Sequence, residues 1–275
     1  MSPELPNPNE FATFRDRISS EITRFGGDAL EILFPSTCRL CEQNVGPAED
    51  FCRKCRARLA GSEERMKSSC RRCGLPGAGL AALPSDATTA ESCPTCEDKK
   101  LAFDRCIALW TYDELVRTAV IAAKYGNRAS LADALGRCLG DRCVADLKSD
   151  PADWVTSVPT PLLRRVQRGR GGSPILAEAV TRRLQKAPDS RVHMRNLLTI
   201  TRAVKKQALL SEKDRRANIH GAFRVIRQRL VNRKHVLLVD DVMTSGATAD
   251  EIATILKRSG ARRVTVAVVA RACGT

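Results

Sequence analysis

Eight of the twelve cysteines stand in four Cys-x-x-Cys pairs: Cys38/Cys41, Cys52/Cys55, Cys70/Cys73 and Cys93/Cys96. A two-residue spacer lets both sulfurs of one turn face a single ion. Two such pairs complete the closed four-thiolate shell of structural zinc, so four pairs predict two zinc ions. Sharing in sequence order, the first two pairs and then the last two, is the expected arrangement, and interleaved sharing satisfies the same spacing. The competing chemistry is thiol redox. Redox Cys-x-x-Cys motifs usually occur singly, in a strand-helix setting, and no such pattern surrounds these. Cys106, Cys138, Cys143 and Cys273 stand outside any Cys-x-x-Cys pair; the first three are expected as small buried hydrophobes, and Cys273 in a tail.

The second chemical constellation is Val236-Leu-Leu-Val-Asp240-Asp241-Val-Met-Thr244-Ser245-Gly246-Ala247-Thr248. An apolar strand is expected to end in two adjacent carboxylates, and a loop of hydroxyls and one glycine follows. A helix is then predicted from near Ala247, with Ile252, Ile255 and Leu256 on one face, Lys257 and Arg258 in its last turn and Gly260 just past it. The loop and helix start offer backbone N–H groups and hydroxyls, a cradle for a phosphate. Gly246 allows close backbone approach to a ligand. The carboxylates, acceptors only, suit sugar hydroxyls or Mg²⁺ through water. A phosphate cradle beside a diol acceptor describes a ribose-5-phosphate site. A Walker A loop would need a lysine after Gly246. A dinucleotide fingerprint would follow its strand directly, whereas Gly169-Arg-Gly171-Gly172 lies well past one. A response-regulator acidic pocket would need no Thr/Ser/Gly cradle.

These residues need elements to hold them. Apolar runs at Cys106–Trp110, Trp154–Val158, Val236–Val239 and Val264–Val269 read as strands. Leu115–Ala123, Leu131–Leu147 and Ile175–Leu184 read as helices. Nearly continuous apolar strands that alternate with helices predict a parallel sheet buried on both faces. Phe11, Phe14, Ile18, Ile22 and Phe25 predict an N-terminal amphipathic helix. Residues 37–100 hold the cysteine pairs and little else that could form a core, with a Gly- and Pro-rich loop at Gly74–Ala90. The expected divisions are an N-terminal helical segment at 1–36, a zinc module at 37–100 and an α/β domain at 101–275.

Composition narrows the partners. The formal charge is +15 and the pI about 9.6, which favours polyanions, or else serves solubility alone. Arg164, Arg165, Arg168 and Arg170 crowd one expected loop, and Lys205/Lys206 and Arg215/Arg216 form further clusters. Aromatics make up only 4% of the chain, which argues against base-specific stacking. No run of 18 apolar residues and no signal-peptide pattern is present, so a cytoplasmic location without a membrane span is expected. In that reducing compartment the cysteines suit metal better than disulfides.

Asp240, Asp241, Thr244, Ser245, Gly246, Ala247 and Thr248 match, position by position, the diphosphate-ribose signature of type I phosphoribosyltransferases, which the segment resembles. The resemblance implies that the acidic pair binds the ribose hydroxyls of phosphoribosyl pyrophosphate (PRPP), with Mg²⁺, and that the loop binds its 5-phosphate. More of the chain, roughly residues 30 to 272, resembles the ComF/ComFC competence family. The matching segments are Leu33-Phe34-Pro35 before Cys38, Lys124-Tyr125-x-Asn127, Val158-Pro159-Thr160-Pro161-Leu162 with Arg164, Arg165, Arg168 and Gly169, and the hood segment from Gln207 to Phe223. This resemblance implies an α/β, type I phosphoribosyltransferase-like parallel sheet flanked by helices, carrying an N-terminal double zinc ribbon. It places Lys124, Arg164, Arg165 and Arg168 beside the PRPP, and Asp240 and Asp241 as the catalytic pair if transfer occurs. It further implies a role in DNA uptake, with single-stranded DNA and other DNA-uptake proteins as partners. Two stretches depart from the family pattern: Arg168-Gly169-Arg170-Gly171-Gly172, where Arg-Gly-Phe-Asn-Gln is usual, and Val204-Lys205-Lys206-Gln207, where Thr-Pro-Pro-Gln is usual. Both fall on the pyrophosphate and acceptor side, so an active transferase and a non-catalytic adaptor both remain open.

Overall fold

The apolar runs become strands of one parallel sheet. The computed structural model describes residues 36–77, 93–97, 99–169, 171–202 and 217–273. The expected N-terminal helix, most of the Gly74–Ala90 loop and the Lys205/Lys206 and Arg215/Arg216 clusters lie outside those residues. The chain divides into two compact units, Met1–Cys55 and Arg56–Thr275.

In the smaller unit an isolated bridge joins Thr37 to Asn44, and the Cys38 and Arg39 amides donate to Gln43 and Asp50 carbonyls at 2.7 and 2.8 Å. These bonds fold one short knuckle around the first cysteine pair.

The larger unit runs in chain order through α1 (Arg53–Met66, all but its first residues), a single turn α2 (Pro94–Glu97), β1 (Arg105–Thr111), α3 (Glu114–Ala123), α4 (Ala129–Asp146) and β2 (Trp154–Ser157). It continues with α5 (Leu162–Arg168), α6 (Ser173–Leu184), β3 (His193–Met194), β4 (Leu198–Ile200), β5 (Phe223–Val225), α7 (Gln228–Val231), β6 (His235–Met243), α8 (Ala247–Arg258) and β7 (Arg263–Arg271). The main sheet has the order β1-β7-β6-β2-β3, and each neighbouring pair is parallel. β4 and β5 form a separate antiparallel pair. Val236 to Val239 and Val264 to Ala270 are fully buried, which is why these stretches read as apolar runs interrupted only at Thr265.

The helices start and pack for local reasons. Asp113 caps α3 through its carboxylate, which accepts the Val116 amide at 3.1 Å, a bond worth about 1 kcal/mol. α4 lies directly on α6. A Cβ on Gly136 would come 2.7 Å from the Ala179 Cβ, and one on Gly140 the same distance from the Arg183 Cβ, so glycine sets the closeness of that contact. Among the described residues no helix is long and apolar enough to cross a membrane.

Two local expectations change. β6 does not end at the acidic pair. Its ladder with β7 continues through Asp240↔Val268, Val242↔Ala270 and Met243↔Arg271, because β7 supplies paired backbone regardless of side-chain polarity. The arginine-rich stretch after Pro161 is not a loop. It is α5, which begins after Pro161 and ends at Gly169, where φ is +72°.

Candidate functional site

Two sets of four cysteines come together, in sequence order: Cys38, Cys41, Cys52 and Cys55, then Cys70, Cys73, Cys93 and Cys96. Within each set the sulfurs all lie within 4.8 Å of one another. Measured separations are 3.6 Å for Cys41–Cys52 and Cys73–Cys93, 3.7 Å for Cys93–Cys96 and 3.8 Å for Cys70–Cys96. A tetrahedral shell with Zn–S bonds of about 2.3 Å requires sulfurs about 3.8 Å apart, so both sets fit zinc. Charge points the same way. The Cys73 thiol and backbone amides nearby hold Cys70 down to about 4 against the opposing effect of burial. The Cys73 thiol is driven far up by Cys70 and by burial. In the first set, burial opposes the Cys38 thiolate, yet the Cys52, Cys41 and Leu40 amides bring it to about 6, while burial drives the Cys55 thiol up. In each set one thiol is held down while a neighbour, Cys55 or Cys73, is pushed up, an opposition that a bound cation would relieve.

The second set is built into the body of the larger unit. All four of its cysteines are buried and share a core with Phe103, Leu238 and Ile252. The Cys106 amide of β1 donates to the Arg71 carbonyl at 3.0 Å. A Cβ on Gly74, whose φ is +72°, would come 2.7 Å from the Cys106 Sγ. Cys106 and Cys143 are buried as expected, Cys138 is half-buried and Cys273 is exposed.

At the C-terminal end of β6 a cleft of about 1370 Å³ opens, lined by Lys124, Arg164, Ser173, Asp240, Asp241 and residues of the Thr244–Thr248 loop among others. This is the sheet edge where α/β ligands bind. The Ser173 hydroxyl donates to Asp240 Oδ1 at 2.8 Å, and the Asp241 amide reaches the same oxygen at 2.9 Å. Lys124 Nζ pairs with Asp241 Oδ2 at 3.1 Å. Burial first, and the adjacent Asp241 charge second, push the Asp240 carboxyl up to about 7. Two carboxylates held this close, with one lysine paired to Asp241, make a site that gains from a further donor or cation.

The loop turns into α8 at Gly246, whose φ of +80° is the left-handed conformation that glycine adopts without strain. The Ala247 amide approaches the Ser245 hydroxyl at 3.4 Å. The first turn of α8 points into the cleft through Ala247 and Thr248, presenting the N–H end of the helix to any anion there.

The structure brings Lys124, Arg164, Asp240, Asp241 and the Thr244–Thr248 loop to one cleft. Arg165 and Arg168 belong to α5 by their backbone, and their side chains, with all of Arg170, lie outside the described residues. Sequence reasoning missed three residues. Ser173 holds Asp240. Gly171 has no room for a side chain, since a Cβ there would meet the Lys124 carbonyl oxygen at 2.8 Å. With the Gly172 amide donating to the Ala123 carbonyl at 2.9 Å, this packing accounts for a glycine at one of the departures from the family pattern. The third residue, Arg271, is buried beneath the loop. Its signal was available: a lone cation closing an apolar strand.

Comparison with known proteins agrees with both halves of this arrangement. Residues 29–97 match the double zinc ribbon domain family, and residues 170–274 the phosphoribosyl transferase domain family. DNA utilization protein YhgH of Escherichia coli O157:H7 is 31% identical over 236 residues, 84% of this chain and 95% of that protein. The protein of the same name from Salmonella typhi matches to the same extent. Competence protein F of Haemophilus influenzae is 27% identical over 236 residues, 80% of this chain and 96% of that protein. The chain belongs to the family of these proteins, the ComF-type fusions of a double zinc ribbon to a phosphoribosyltransferase domain.

Proposed function

We propose that this chain is a cytoplasmic ComF-like protein of DNA uptake that binds PRPP with Mg²⁺ in the β6 cleft and also binds single-stranded DNA. In this reading residues 37–100 form the zinc ribbon module and residues 101–275 the phosphoribosyltransferase-like domain, after an N-terminal segment at 1–36. The observation that carries the ligand assignment is the pairing of Asp240 and Asp241 with the helix-start cradle at Gly246 inside one cleft. Asp240 and Asp241 would hold the ribose hydroxyls, directly or through magnesium-bound water. Thr244, Ser245, Thr248 and the amides of the α8 first turn would hold the 5-phosphate, and Lys124 and Arg164 would face the pyrophosphate. Magnesium would neutralise that pyrophosphate. The DNA assignment is supported by the +15 charge, by the basic side chains Arg117, Lys124 and Arg164 around the cleft and by the names of the relatives; other DNA-uptake proteins are the partners this reading suggests.

A second reading, an active transferase, is favoured by the size of the cleft. Its volume exceeds the 300–1,000 Å³ of common small-ligand sites, leaving room for an acceptor beside the sugar phosphate. Such an enzyme would work by positioning and by stabilising charge as pyrophosphate departs.

Calorimetry with PRPP and Mg²⁺, followed by a pyrophosphate-release assay over nucleobases, separates these. PRPP binding without release supports a binding protein; binding with release supports a transferase; no binding with Mg²⁺ present overturns both and leaves a zinc-module adaptor. Single-stranded DNA is expected to bind with little sequence preference and to weaken steeply as salt rises. Arg164→Glu is expected to flatten that slope, and salt-insensitive binding would refute the backbone-charge account.

A further inference from the structure

β7 is apolar from Val264 to Ala270 apart from Thr265, and then ends on Arg271, which is only 5% exposed. Burying a guanidinium costs several kcal/mol unless its charge and donors are met. Among the described residues no carboxylate lies within ion-pair distance of it. Its donors go instead to main-chain oxygens. Nε donates to the Cys73 carbonyl at 2.9 Å. Nη1 reaches the carbonyls of Met243 at 3.1 Å and Ala272 at 2.6 Å, and also that of Thr244.

Three of those four acceptors belong to two different functional elements. Cys73 is a ligand of the second zinc shell. Met243 and Thr244 are the end of β6 and the start of the phosphate loop. One zinc ion with four thiolates carries a net charge of 2 − 4 = −2. A charge of that sign beside the Cys73 main chain would offset a buried arginine with no carboxylate.

We propose that Arg271 is a positioning residue that balances the zinc tetrathiolate at Cys70, Cys73, Cys93 and Cys96 and at the same time fixes the Met243–Thr244 backbone from which the phosphate loop springs, so that zinc there and a phosphate ligand in the cleft stabilise each other. The half of this inference that concerns the cleft rests on the phosphate-site reading above. The planar fork of arginine suits the task, because it delivers donors in two directions from one rigid group. A lysine keeps the charge but offers a single point of donation. The coupling is reciprocal by linkage, and couplings of this kind commonly amount to about 5–150-fold.

The test follows zinc release from the full chain, loaded with two zinc ions, into a chromogenic chelator, with and without saturating PRPP and Mg²⁺. PRPP affinity is measured in parallel by calorimetry. In the parent, PRPP is expected to slow release of one of the two zinc ions about tenfold and to leave the other unchanged. In Arg271→Lys that slowing is expected to vanish, PRPP to bind roughly tenfold more weakly, and the same zinc to leave faster even without ligand. The parent measurement needs no variant, so an unfolded Arg271→Lys still leaves the coupling testable. A parent that binds PRPP but releases both zinc ions at unchanged rates overturns the proposal, as does full-sized slowing in Arg271→Lys. If the parent binds no PRPP, the phosphate-site reading falls by itself. Ligand-free zinc release then decides the rest: equal rates in parent and Arg271→Lys remove Arg271 from the zinc shell as well.

Discussion

The two cysteine shells use the same four-thiolate chemistry in different surroundings. In the first shell Cys41 is exposed, and the fold around it is a short knuckle closed by a single bridge and a few backbone bonds. In the second every cysteine is buried and shares a core with β6, β7 and α8. Ligand spacing is blind to this difference, since all four pairs are Cys-x-x-Cys. The contrast teaches that a metal stabilises whatever its ligands are packed against. The first ion is expected to hold a knuckle, and the second to hold a sheet and the loop beneath which Arg271 lies.

Deleting one ligand from each shell is expected to give the largest difference between them. Structural zinc is worth about 10–16 kcal/mol in small fingers, comparable to the whole stability of a domain. Cys73→Ser is therefore expected to abolish the cooperative thermal transition of the larger unit, read by circular dichroism. Cys41→Ser is expected to lose one zinc by elemental analysis while that transition survives and PRPP still binds. Equal damage from the two substitutions would show that the shells are equivalent after all.

The next largest effect concerns the acidic pair. Asp240→Asn/Asp241→Asn is expected to leave both zinc ions in place and to weaken PRPP binding at least about 100-fold, the loss of two charge-assisted interactions. Parent-like affinity in calorimetry would refute the ribose-hydroxyl role. The single variant Asp240→Asn probes the same pair through pH. The folded carboxyl sits near 7, above its ordinary value of 3.8. As pH rises the unfolded chain gives up this proton first, so stability falls between those values and the whole penalty is present above 7. Asp240→Asn is thus expected to raise the melting temperature more at pH 8 than at pH 6. PRPP binding by the parent is expected to strengthen through pH 7 with proton release, seen by calorimetry in buffers of different ionisation enthalpy. A pH-independent difference between parent and variant would contradict the burial of that charge.

Smaller effects sharpen the picture around the cleft. Gly171→Ala must push a methyl group against the Lys124 carbonyl, a strain of about 1–3 kcal/mol. Its melting temperature is expected to drop modestly, and PRPP binding to weaken as Lys124 shifts. Thr248→Ala is expected to do least, a few-fold at most, because amides of the α8 first turn still face the phosphate. A larger loss from Thr248→Ala than from the acidic pair would move the weight of the site from carboxylates to hydroxyls.

Much of this was legible in the sequence, for identifiable reasons. Zinc-ligand spacing is local, so four pairs and two shells were legible, whereas which pairs share an ion, left open between sequential and interleaved, depends on the fold that joins them. The strands Val236–Val239 and Val264–Val269 are buried on both faces and announce themselves by composition. The helix start near Ala247 is marked by the Thr/Ser/Gly loop before it and by the apolar face of Ile252, Ile255 and Leu256 after it. What was not legible depends on distant partners. The extension of β6 past Asp241 to Met243 is dictated by backbone pairing with β7, not by side chains. The helix α5 hides under a run of arginines that reads as solvated loop. Ser173 and Gly171 matter because of Asp240 and Lys124, some 67 and 47 positions away in the chain.

The order of strands in the sheet has a consequence for how the protein is made. β7 follows β1 and β6 in the chain but lies between them. While the chain is being synthesised, β1 and β6 each wait with a bare hydrogen-bonding edge for the strand that will join them. Unpaired, apolar edges are templates for association with other chains. The interval between completion of β6 and delivery of β7 is therefore the dangerous one. Zinc bound early at Cys70, Cys73, Cys93 and Cys96, all of which emerge before β1, would anchor the start of β1 through its Cys106–Arg71 bond and shorten the exposure. Metal supply during translation, rather than afterwards, is then expected to decide how much of the protein is recovered in soluble form.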